Sequence, residues 1–241
     1  MSATTMERAQ IVERILATQS HLDVRRSSGA AISQMLHDNS DAAPDEIPPG
    51  EIPPQRRGDH DLNEIGMRPN PPLIPAAVLV PLLDHGDRIT VLLTQRAADL
   101  RAHAGQISFP GGRIDPGDAH PEAAALREAQ EEVGLPPPSV ELVGRLDTYE
   151  VRTGFEITPV VGFVEPGFDI VCDPGEVADV FEVPLAFILD PANHERQSRV
   201  FQGKRRYFYV LPFEDRYIWG ATAGMLVNLF EVLTGEKARW R

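Results

Sequence analysis

Residues 109–135, FPGGRIDPGDAHPEAAALREAQEEVGL, predict a glycine-rich loop followed by a helix. The helix is expected over residues 121–133, because its start contains three consecutive alanines and alanine favours helix. Pro121 suits the first helical position, where its missing N–H is not needed. Gly134 suits the left-handed position that commonly follows a last turn. The stretch therefore predicts one helix with defined ends.

This helix is expected to carry an apolar side and an acidic side. A period of 3.6 residues puts Ala123, Leu126, Ala129 and Val133 on one side, and Glu128, Glu131 and Glu132 on the other. Like charges three or four residues apart repel, and acids are unfavourable near the negative C-terminal end of a helix. Arg127 supplies only part of the missing positive charge. A divalent cation with oxygen ligands would supply more.

The loop before the helix has the composition of a turn that a phosphate can approach. Gly111 and Gly112 allow backbone conformations that other residues avoid, and they leave room for a carbonyl or a phosphate. Asp115 and Asp118 continue the polar loop. A solvated helix behind an ordinary loop is the simpler interpretation for any single residue here. Three acids on one stripe behind two glycines favour Mg²⁺ and a phosphate-containing ligand.

These residues resemble the Nudix box, G-x5-E-x7-R-E-U-x-E-E-x-G-U, in which U is aliphatic. Gly112 begins the match, and residues 127–135, REAQEEVGL, complete it. Asp118 stands in the place of the first glutamate, and eight residues rather than seven separate it from Arg127. Ala129 is a small residue at the aliphatic position. These departures recur in one subfamily.

That subfamily is the coenzyme A pyrophosphatases, which the chain resembles through a second signature. The signature is L-L-T-x-R, then a spaced arginine and glycine, then F-P-G-G. Here it corresponds to residues 92–96, Arg101, Gly105 and residues 109–112, within a resemblance that covers roughly residues 76–235. The resemblance implies an α/β fold, a Nudix-type α/β/α sandwich with a mixed β-sheet between helices.

The resemblance also implies roles for individual residues. The expected metal ligands, for Mg²⁺ with Mn²⁺ as a substitute, are Glu128, Glu131, Glu132 and the carbonyl oxygen of Gly111. The expected substrate contacts are Arg96, Arg101, His103, Gly111 and Gly112. Arg127 is expected to orient the carboxylates, and Glu176, in a downstream loop, is the candidate general base. Each of the substrate arginines, and Glu176, could equally be a charge exposed to water.

Three functions are compatible with this pattern. The first is Mg²⁺-dependent hydrolysis of the pyrophosphate bond of coenzyme A or its thioesters, giving 3′,5′-ADP and 4′-phosphopantetheine or its acyl form. In that case Arg96 and Arg101, together with His103, are expected to contact the 3′-phosphate. The alternative is that Lys204, Arg205 and Arg206, in the predicted late hairpin, contact it. The second is hydrolysis of another nucleoside diphosphate derivative, such as ADP-ribose, NADH, a nucleoside triphosphate or a capped RNA end. The third is a Nudix-fold binding module without turnover, which the intact set of glutamates disfavours.

Composition limits the class of partner. The net charge of −13 opposes binding to nucleic acid or to acidic membranes, so a small nucleotide substrate resembling coenzyme A is expected. Cys172 is the only cysteine, which excludes an intramolecular disulfide and suits a reducing cytosol. No apolar run has transmembrane length, and residues 1–10 lack the pattern of a signal peptide, so a cytoplasmic protein is expected. A homodimer is left open.

Residues 1–75 are predicted to form a helical and proline-rich extension. Residues 6–37 are expected to hold one or two helices, with one apolar stripe at Ile11, Ile15 and Ala17 and another at Ile32, Met35 and Leu36. Residues 38–75 are dense in proline, which predicts an extended linker. Deletion of the chain as far as residue 66 is therefore expected to leave catalysis intact.

Residues 76–241 are predicted to form the Nudix hydrolase domain. Strands are expected at residues 76–83, 88–94, 140–151, 157–164, 177–183, 199–202, 205–211 and 217–219, and further helices at residues 184–189 and 221–233. Pro81 is expected to mark a sheet edge or a bulge, because proline lacks the N–H that a central strand uses. Strands mixed with helices predict an α/β sandwich.

Overall fold

Four α-helices, three short 3₁₀-helices and twelve strands make up the regular structure of the described residues. The computed structural model describes residues 6–19, 56–63, 69, 72–98, 104–165, 167–201 and 203–238. The helices are α1 (Arg8–Thr18), α2 (Pro121–Val133), α3 (Leu185–Ile188) and α4 (Ala221–Thr234). The strands are β1 (Arg57–Gly58), β2 (Ile74–Asp84), β3 (Ile89–Arg96), β4 (Ile107–Ser108), β5 (Gly111–Arg113), β6 (Val140–Arg145), β7 (Tyr149–Val151), β8 (Phe155–Val164), β9 (Val177–Pro184), β10 (Glu195–Phe201), β11 (Lys204–Phe213) and β12 (Arg216–Trp219).

The helix predicted at residues 121–133 is confirmed with both of its ends. Pro121 is the first residue of α2, and Gly134 follows the last turn with a φ of 72°. The N–H of Gly134 donates to carbonyl oxygens of that last turn. Because these signals act between neighbours in the chain, they specify where the helix begins and ends without reference to tertiary contacts.

Strand β2 lies at the centre of a mixed sheet. It pairs in parallel with β8, from Ile74 opposite Phe155 to Leu83 opposite Val164, and antiparallel with β3 and β5. Strand β9 pairs with the other side of β3, while β6 and β7 pair antiparallel with β8. Strands β10, β11 and β12 form a separate antiparallel sheet. The predicted mixed sheet is thus confirmed.

The main sheet is apolar on both faces because helices cover both. On β2, Ala77 and Leu79 contribute to the core under α2, whereas Val80 and Leu82 contribute to the core on the opposite face. Helices α1, α3 and α4 and the three-stranded sheet cover that opposite face. This layering confirms the predicted α/β/α sandwich.

Two predictions about the strands are wrong. Pro81 lies inside the central strand, not at an edge, and the ladder from β2 to β3 begins only at the next residue, Leu82. The missing N–H of Pro81 therefore removes no bond from that ladder. The single strand predicted at residues 140–151 is two strands, because residues 146–148 separate β6 from β7.

Part of the predicted linker is regular structure, so that prediction is also wrong for residues 57–62. Strand β1 pairs in parallel with β7, and a 3₁₀-helix, Asp59–Leu62, follows it. Helix α1 packs against β6 and α4, with Ile11 and Ile15 fully buried. The predicted second apolar stripe, residues 32–36, lies outside the described residues, and the division at residue 75 stays a prediction.

No helix in the described part of the chain combines the length and the hydropathy that a membrane crossing needs.

Candidate active site

Two glycines place strand β5 in direct contact with helix α2. A Cβ atom on Gly112 would lie 2.4 Å from the Cδ atom of Glu128, so only glycine leaves room for that carboxylate. A Cβ atom on Gly111 would lie 2.4 Å from the carbonyl oxygen of Ala77 in β2. The N–H of Gly111 donates to Oε2 of Glu132 at 3.2 Å. Two carboxylates of α2 therefore lie against β5.

Glu132 is buried, and the prediction that it lies opposite the apolar side is wrong. It follows Ala125 by seven residues, or about two turns, and so shares the face that Ala125 buries against the sheet. Its side chain is 3% exposed, whereas that of Glu131 is 60% exposed. Nη1 of Arg96 lies 3.5 Å from Oε1 of Glu132.

The buried position changes the proton affinity of Glu132. Burial raises the pKa of Glu132 to about 7, and the nearby charges of Glu176 and Glu128 add to the rise. The hydrogen bond from Gly111 and the guanidinium of Arg96 oppose it. Burial also raises the pKa of Glu128, against the effect of Arg127. Both carboxylates thus lie where a cation would stabilise their charged forms.

Arg127 connects the loop to the acidic side of α2. Its Nε and Nη2 atoms donate to the carboxylate of Asp118 at 3.1 and 2.9 Å. Its Nη1 atom donates to Glu128 at 2.9 Å and to Glu131 at 3.2 Å, and Nη2 also donates to the carbonyl oxygen of Arg113 at 3.1 Å. The hydrogen bond from Arg127 lowers the pKa of Asp118 despite its burial. The aspartate that replaces the first box glutamate is therefore a main partner of Arg127.

One open cleft of about 540 Å³, here called the acidic cleft, collects these groups. Glu176 reaches it because β9 pairs with β3, which sets Val177 opposite Arg96. The N–H of Ala97 donates to the carbonyl oxygen of Glu176 at 2.8 Å. Gly111 and Gly112 contribute backbone to the lining of the acidic cleft. The charged residues that line it are Arg96, Arg113, Asp115, Glu128, Glu132 and Glu176.

Comparison with known proteins identifies the family. The NUDIX domain model matches residues 73–203 of the 241-residue chain. The chain belongs to the Nudix family. A protein described as the uncharacterised Nudix hydrolase NudL in Citrobacter koseri is 45% identical over 154 residues, which cover 64% of this chain and 80% of that protein. NudL of Cronobacter sakazakii is 43% identical over 162 residues, covering 67% and 83% respectively.

A solved Nudix structure is also similar. The Nudix hydrolase RenU from M. smegmatis is 25% identical, with a TM-score of 0.41, over 48% of this chain and 74% of that chain. Nudix hydrolases act on nucleoside diphosphate derivatives and generally use divalent metal ions such as Mg²⁺. The family therefore makes this protein a Nudix hydrolase of a nucleoside diphosphate derivative.

The structure brings together most, but not all, of the residues that sequence analysis assigned to the site. Arg96, Gly111, Gly112, Glu128, Glu132 and Glu176 line the acidic cleft. Arg127 contacts Glu128 from beside the cleft. Glu131 is not among the described residues that line it and instead bonds to Arg127 near solvent. Arg101 and His103 lie outside the described residues.

The donor set of the Nudix cleft suits a hard divalent cation. Carboxylate oxygens of Glu128, Glu132 and Glu176 and backbone carbonyls at the glycine pair are the oxygen ligands that Mg²⁺ takes. Among the described residues, no three His, Cys, Asp or Glu side chains are already grouped closely enough to hold a metal ion. Mg²⁺ is usually bound by one or two carboxylates, with waters and substrate phosphates completing its shell, so a closed protein cage is not needed.

Several residues beside the acidic cleft were not predicted from the sequence. Arg113 follows the glycine pair directly, and its guanidinium lies 5.6 Å from the centroid of the Phe155 ring. Arg199 and Trp219 come from the three-stranded sheet and line an adjoining cavity. The β10–β11 hairpin sets Arg199 opposite Arg206, and this pairing is the signal that could have found Arg199.

Proposed function

We propose that this Nudix hydrolase cleaves the pyrophosphate bond of coenzyme A or its thioesters, giving 3′,5′-ADP and 4′-phosphopantetheine or its acyl form. The proposal is supported by one observation: residues from two sequence signatures contact the carboxylate of Glu132. Arg96, the last residue of L-L-T-x-R, lies 3.5 Å from Oε1 of Glu132. Gly111, in F-P-G-G, donates to Oε2 of the same side chain. The coenzyme A signature and the Nudix box therefore contribute to one cleft.

In this proposal the metal ligands are Glu128, Glu131, Glu132 and the carbonyl oxygen of Gly111. Bound Mg²⁺ supplies charge neutralisation at the phosphoryl oxygens and lowers the pKa of a water molecule. Arg127 orients Glu128 and Glu131 through its hydrogen bonds to both. Glu131 accepts the hydrogen bond from Arg127 through Oε2, so its other carboxylate oxygen would be the one to bind the cation.

The remaining polar groups of the acidic cleft bind the substrate and accept a proton. Arg96 provides a guanidinium for the pyrophosphate, since arginine binds phosphate through two parallel hydrogen bonds. Glu176 is exposed and lines the same cleft, so its carboxylate is the proposed acceptor of the proton from the attacking water. The water adds to phosphorus, and the bridging oxygen leaves with the other product.

Product identification on a panel of substrates tests the proposal. The panel contains coenzyme A, acetyl-coenzyme A, NADH, ADP-ribose, nucleoside triphosphates and capped RNA, each with Mg²⁺ or Mn²⁺. We expect the highest kcat/KM with coenzyme A or its thioester. A higher kcat/KM with ADP-ribose or NADH would overturn the substrate assignment and leave the hydrolase activity in place. Turnover of none of these compounds would instead support a binding module.

Glu132→Gln tests the role of the buried carboxylate. Glutamine keeps an oxygen for the N–H of Gly111 but lacks the negative charge that a cation binds. We expect kcat/KM to fall at least about a hundredfold and bound Mn²⁺, measured by electron paramagnetic resonance, to decrease, while the melting temperature is retained. The control is Glu165→Gln, an exposed glutamate that follows β8, which should behave as wild type. Wild-type turnover in Glu132→Gln would contradict the metal assignment.

A further inference from the structure

A second cavity lies directly beside the acidic cleft, between the main sheet and the three-stranded sheet. Its volume is about 400 Å³, which is within the range of small-molecule sites. Val78, Arg96, Phe155 and Ile157 line both spaces. A molecule whose pyrophosphate lies in the acidic cleft can therefore extend into this second space, here called the inter-sheet cleft.

The inter-sheet cleft is positively charged although the chain as a whole is acidic. The chain has 36 Asp and Glu residues against 23 Lys and Arg residues. Nevertheless Arg96, Arg152, Arg199 and Arg206 line the inter-sheet cleft, and no Asp or Glu is among its described lining residues. This local concentration of positive charge attracts an anionic ligand against the field of the whole molecule.

Arg199 and Arg206 form the part of this charge that comes from the three-stranded sheet. They lie directly opposite each other on β10 and β11, where like charges repel. The guanidinium of Arg199 lies 4.6 Å from the centroid of the Trp219 ring and 5.6 Å from that of Phe208. A phosphate bound by both arginines would gain charge-assisted hydrogen bonds.

Aromatic rings stand beside the two arginines. Phe208 and Trp219 pack edge to face with ring centroids 5.5 Å apart, and Phe155 lines the cleft from the main sheet. Aromatic faces of this kind stack with nucleobases. The side chain of Asn63 and the backbone of Tyr207 exchange two hydrogen bonds of 2.9 Å, which hold this wall in place.

We infer that the inter-sheet cleft binds the nucleotide half of the substrate, a purine nucleoside with an additional ribose phosphate, and that Arg199 and Arg206 bind this phosphate. The inference rests on the proposed function, because coenzyme A carries a 3′-phosphate on the ribose beside its pyrophosphate. It replaces the expectation that Arg96 and Arg101 contact the 3′-phosphate. Arg96 lies next to Glu132, at the pyrophosphate end, and Arg101 lies outside the described residues.

The kinetic test compares coenzyme A with dephospho-coenzyme A, which lacks only the 3′-phosphate. We expect the wild type to prefer coenzyme A, and Arg199→Ala and Arg206→Ala each to lower kcat/KM for coenzyme A by about ten- to a hundredfold with little change for dephospho-coenzyme A. The matched control is Arg205→Ala, which removes an exposed arginine next to Arg206 on β11. The Nη1 atom of Arg205 donates to Ser198. Equal loss for both substrates, or loss in the control, would overturn the inference.

A binding test gives a readout that does not depend on hydrolysis. Calorimetric titration with 3′,5′-ADP and with 5′-AMP compares ligands that differ by the 3′-phosphate alone. We expect 3′,5′-ADP to bind the wild type at least about tenfold more tightly, and Arg199→Ala to remove the difference while leaving 5′-AMP affinity unchanged. Equal affinities in the wild type would overturn the inference. So would a difference that persists in Arg199→Ala, once circular dichroism shows that this variant is folded.

The two tests separate failure of the inference from failure of the proposed function. If the wild type cleaves coenzyme A but does not distinguish it from dephospho-coenzyme A, the proposed function stands and the inference fails. If the wild type does not cleave coenzyme A, the proposed function fails. In that case preferential binding of 3′,5′-ADP through Arg199 would still support the inter-sheet cleft as a site for a phosphorylated nucleotide.

Discussion

Gly111 and Gly112 face different kinds of atom, although they are neighbours on β5. The three atoms nearest to a methyl group on Gly112 would all belong to the carboxylate of Glu128, at the flexible end of that side chain. A methyl group on Gly111 would meet the backbone of Ala77 and Val78, with the Cα atom of Val78 2.6 Å away. Backbone in the centre of a sheet cannot move without breaking the ladder.

These contacts predict that one alanine substitution mainly lowers stability and the other mainly lowers activity. We expect Gly111→Ala to lower the free energy of unfolding by about 2 kcal/mol or more, because it forces β5 away from β2. We expect Gly112→Ala to change stability by less than about 1 kcal/mol but to lower kcat/KM at least about tenfold, because Glu128 is displaced. Urea denaturation and steady-state kinetics measure the two quantities. Wild-type kcat/KM in Gly112→Ala would show that the position of Glu128 is not required.

The start of helix α2 is tied to two other elements. Arg145, at the end of β6, donates to both carboxylate oxygens of Glu122, at 2.5 and 2.8 Å. The side chain of Gln19, which follows α1, bonds to the backbone N–H and carbonyl of Arg145. Nδ1 of His120 lies 3.1 Å from Oε2 of Glu122 and 3.2 Å from the nitrogen of Ala123, so it either donates to that carboxylate or accepts the N–H of Ala123.

This connection predicts a pH dependence of stability. Burial acts to raise the pKa of Glu122, but bonding to His120 and Arg145 outweighs it and lowers the pKa from 4.5 to about 2. Because the folded-state pKa is the lower one, the contribution to stability is complete above about pH 4.5 and is lost as the pH falls toward 2.

Glu122→Gln is therefore expected to lower the free energy of unfolding at pH 7 by on the order of 2–3 kcal/mol. The difference from wild type should shrink steadily between pH 4.5 and pH 3 in a series of urea denaturation curves. Glu165→Gln, at an exposed position, serves as the control and should show no such convergence. A difference that stays constant with pH would mean that the ionised carboxylate is not the stabilising group.

The segment before the main sheet is part of the folded molecule. Arg57 is 11% exposed at its side chain and forms ion pairs with Asp147 and Glu231. Burial acts to lower the pKa of Arg57, but these two carboxylates raise it above its ordinary value. Ile11 and Ile15 of α1 are fully buried against the same core. These contacts join residues far apart in the chain.

We therefore expect that deleting residues 1–66 destabilises the protein, contrary to what the proline-dense composition predicts. The loss should exceed about 5 kcal/mol, since two buried isoleucines and the buried arginine are removed together. Arg57→Ala alone should cost about 3 kcal/mol because it leaves Glu231 without its cation. Urea denaturation measures both losses.

Arg88→Ala is the control for this prediction. Arg88 and its partner Asp87 are 59% and 72% exposed at their side chains, and their ion pair is 3.3 Å long. An exposed pair of this kind contributes less than about 1 kcal/mol. If the variant that lacks residues 1–66 is as stable as wild type, these residues are not required for stability and the prediction is wrong.

Features that depend on neighbours in the chain were predictable from the sequence. The bounds of α2 follow from Pro121, three alanines and Gly134, and the helix forms over the predicted residues. The apolar runs at residues 76–83 and 157–164 predicted strands, and β2 and β8 form over them. The Nudix box supplied the family because its spacing places acids at defined positions on one helix.

Features that depend on distant residues were decided only by tertiary structure. The helical wheel places Glu132 on the side of Ala125, but its full burial results from β5 covering that side, and the wheel contains no information about β5. Likewise, Arg199 and Trp219 approach the acidic cleft only because a second sheet packs beside the first. The sequence thus determined the fold family and the acidic helix through local periodicity and capping. Long-range packing decided how deeply each carboxylate is buried and which arginines lie beside it, because no local pattern encodes contacts between distant residues.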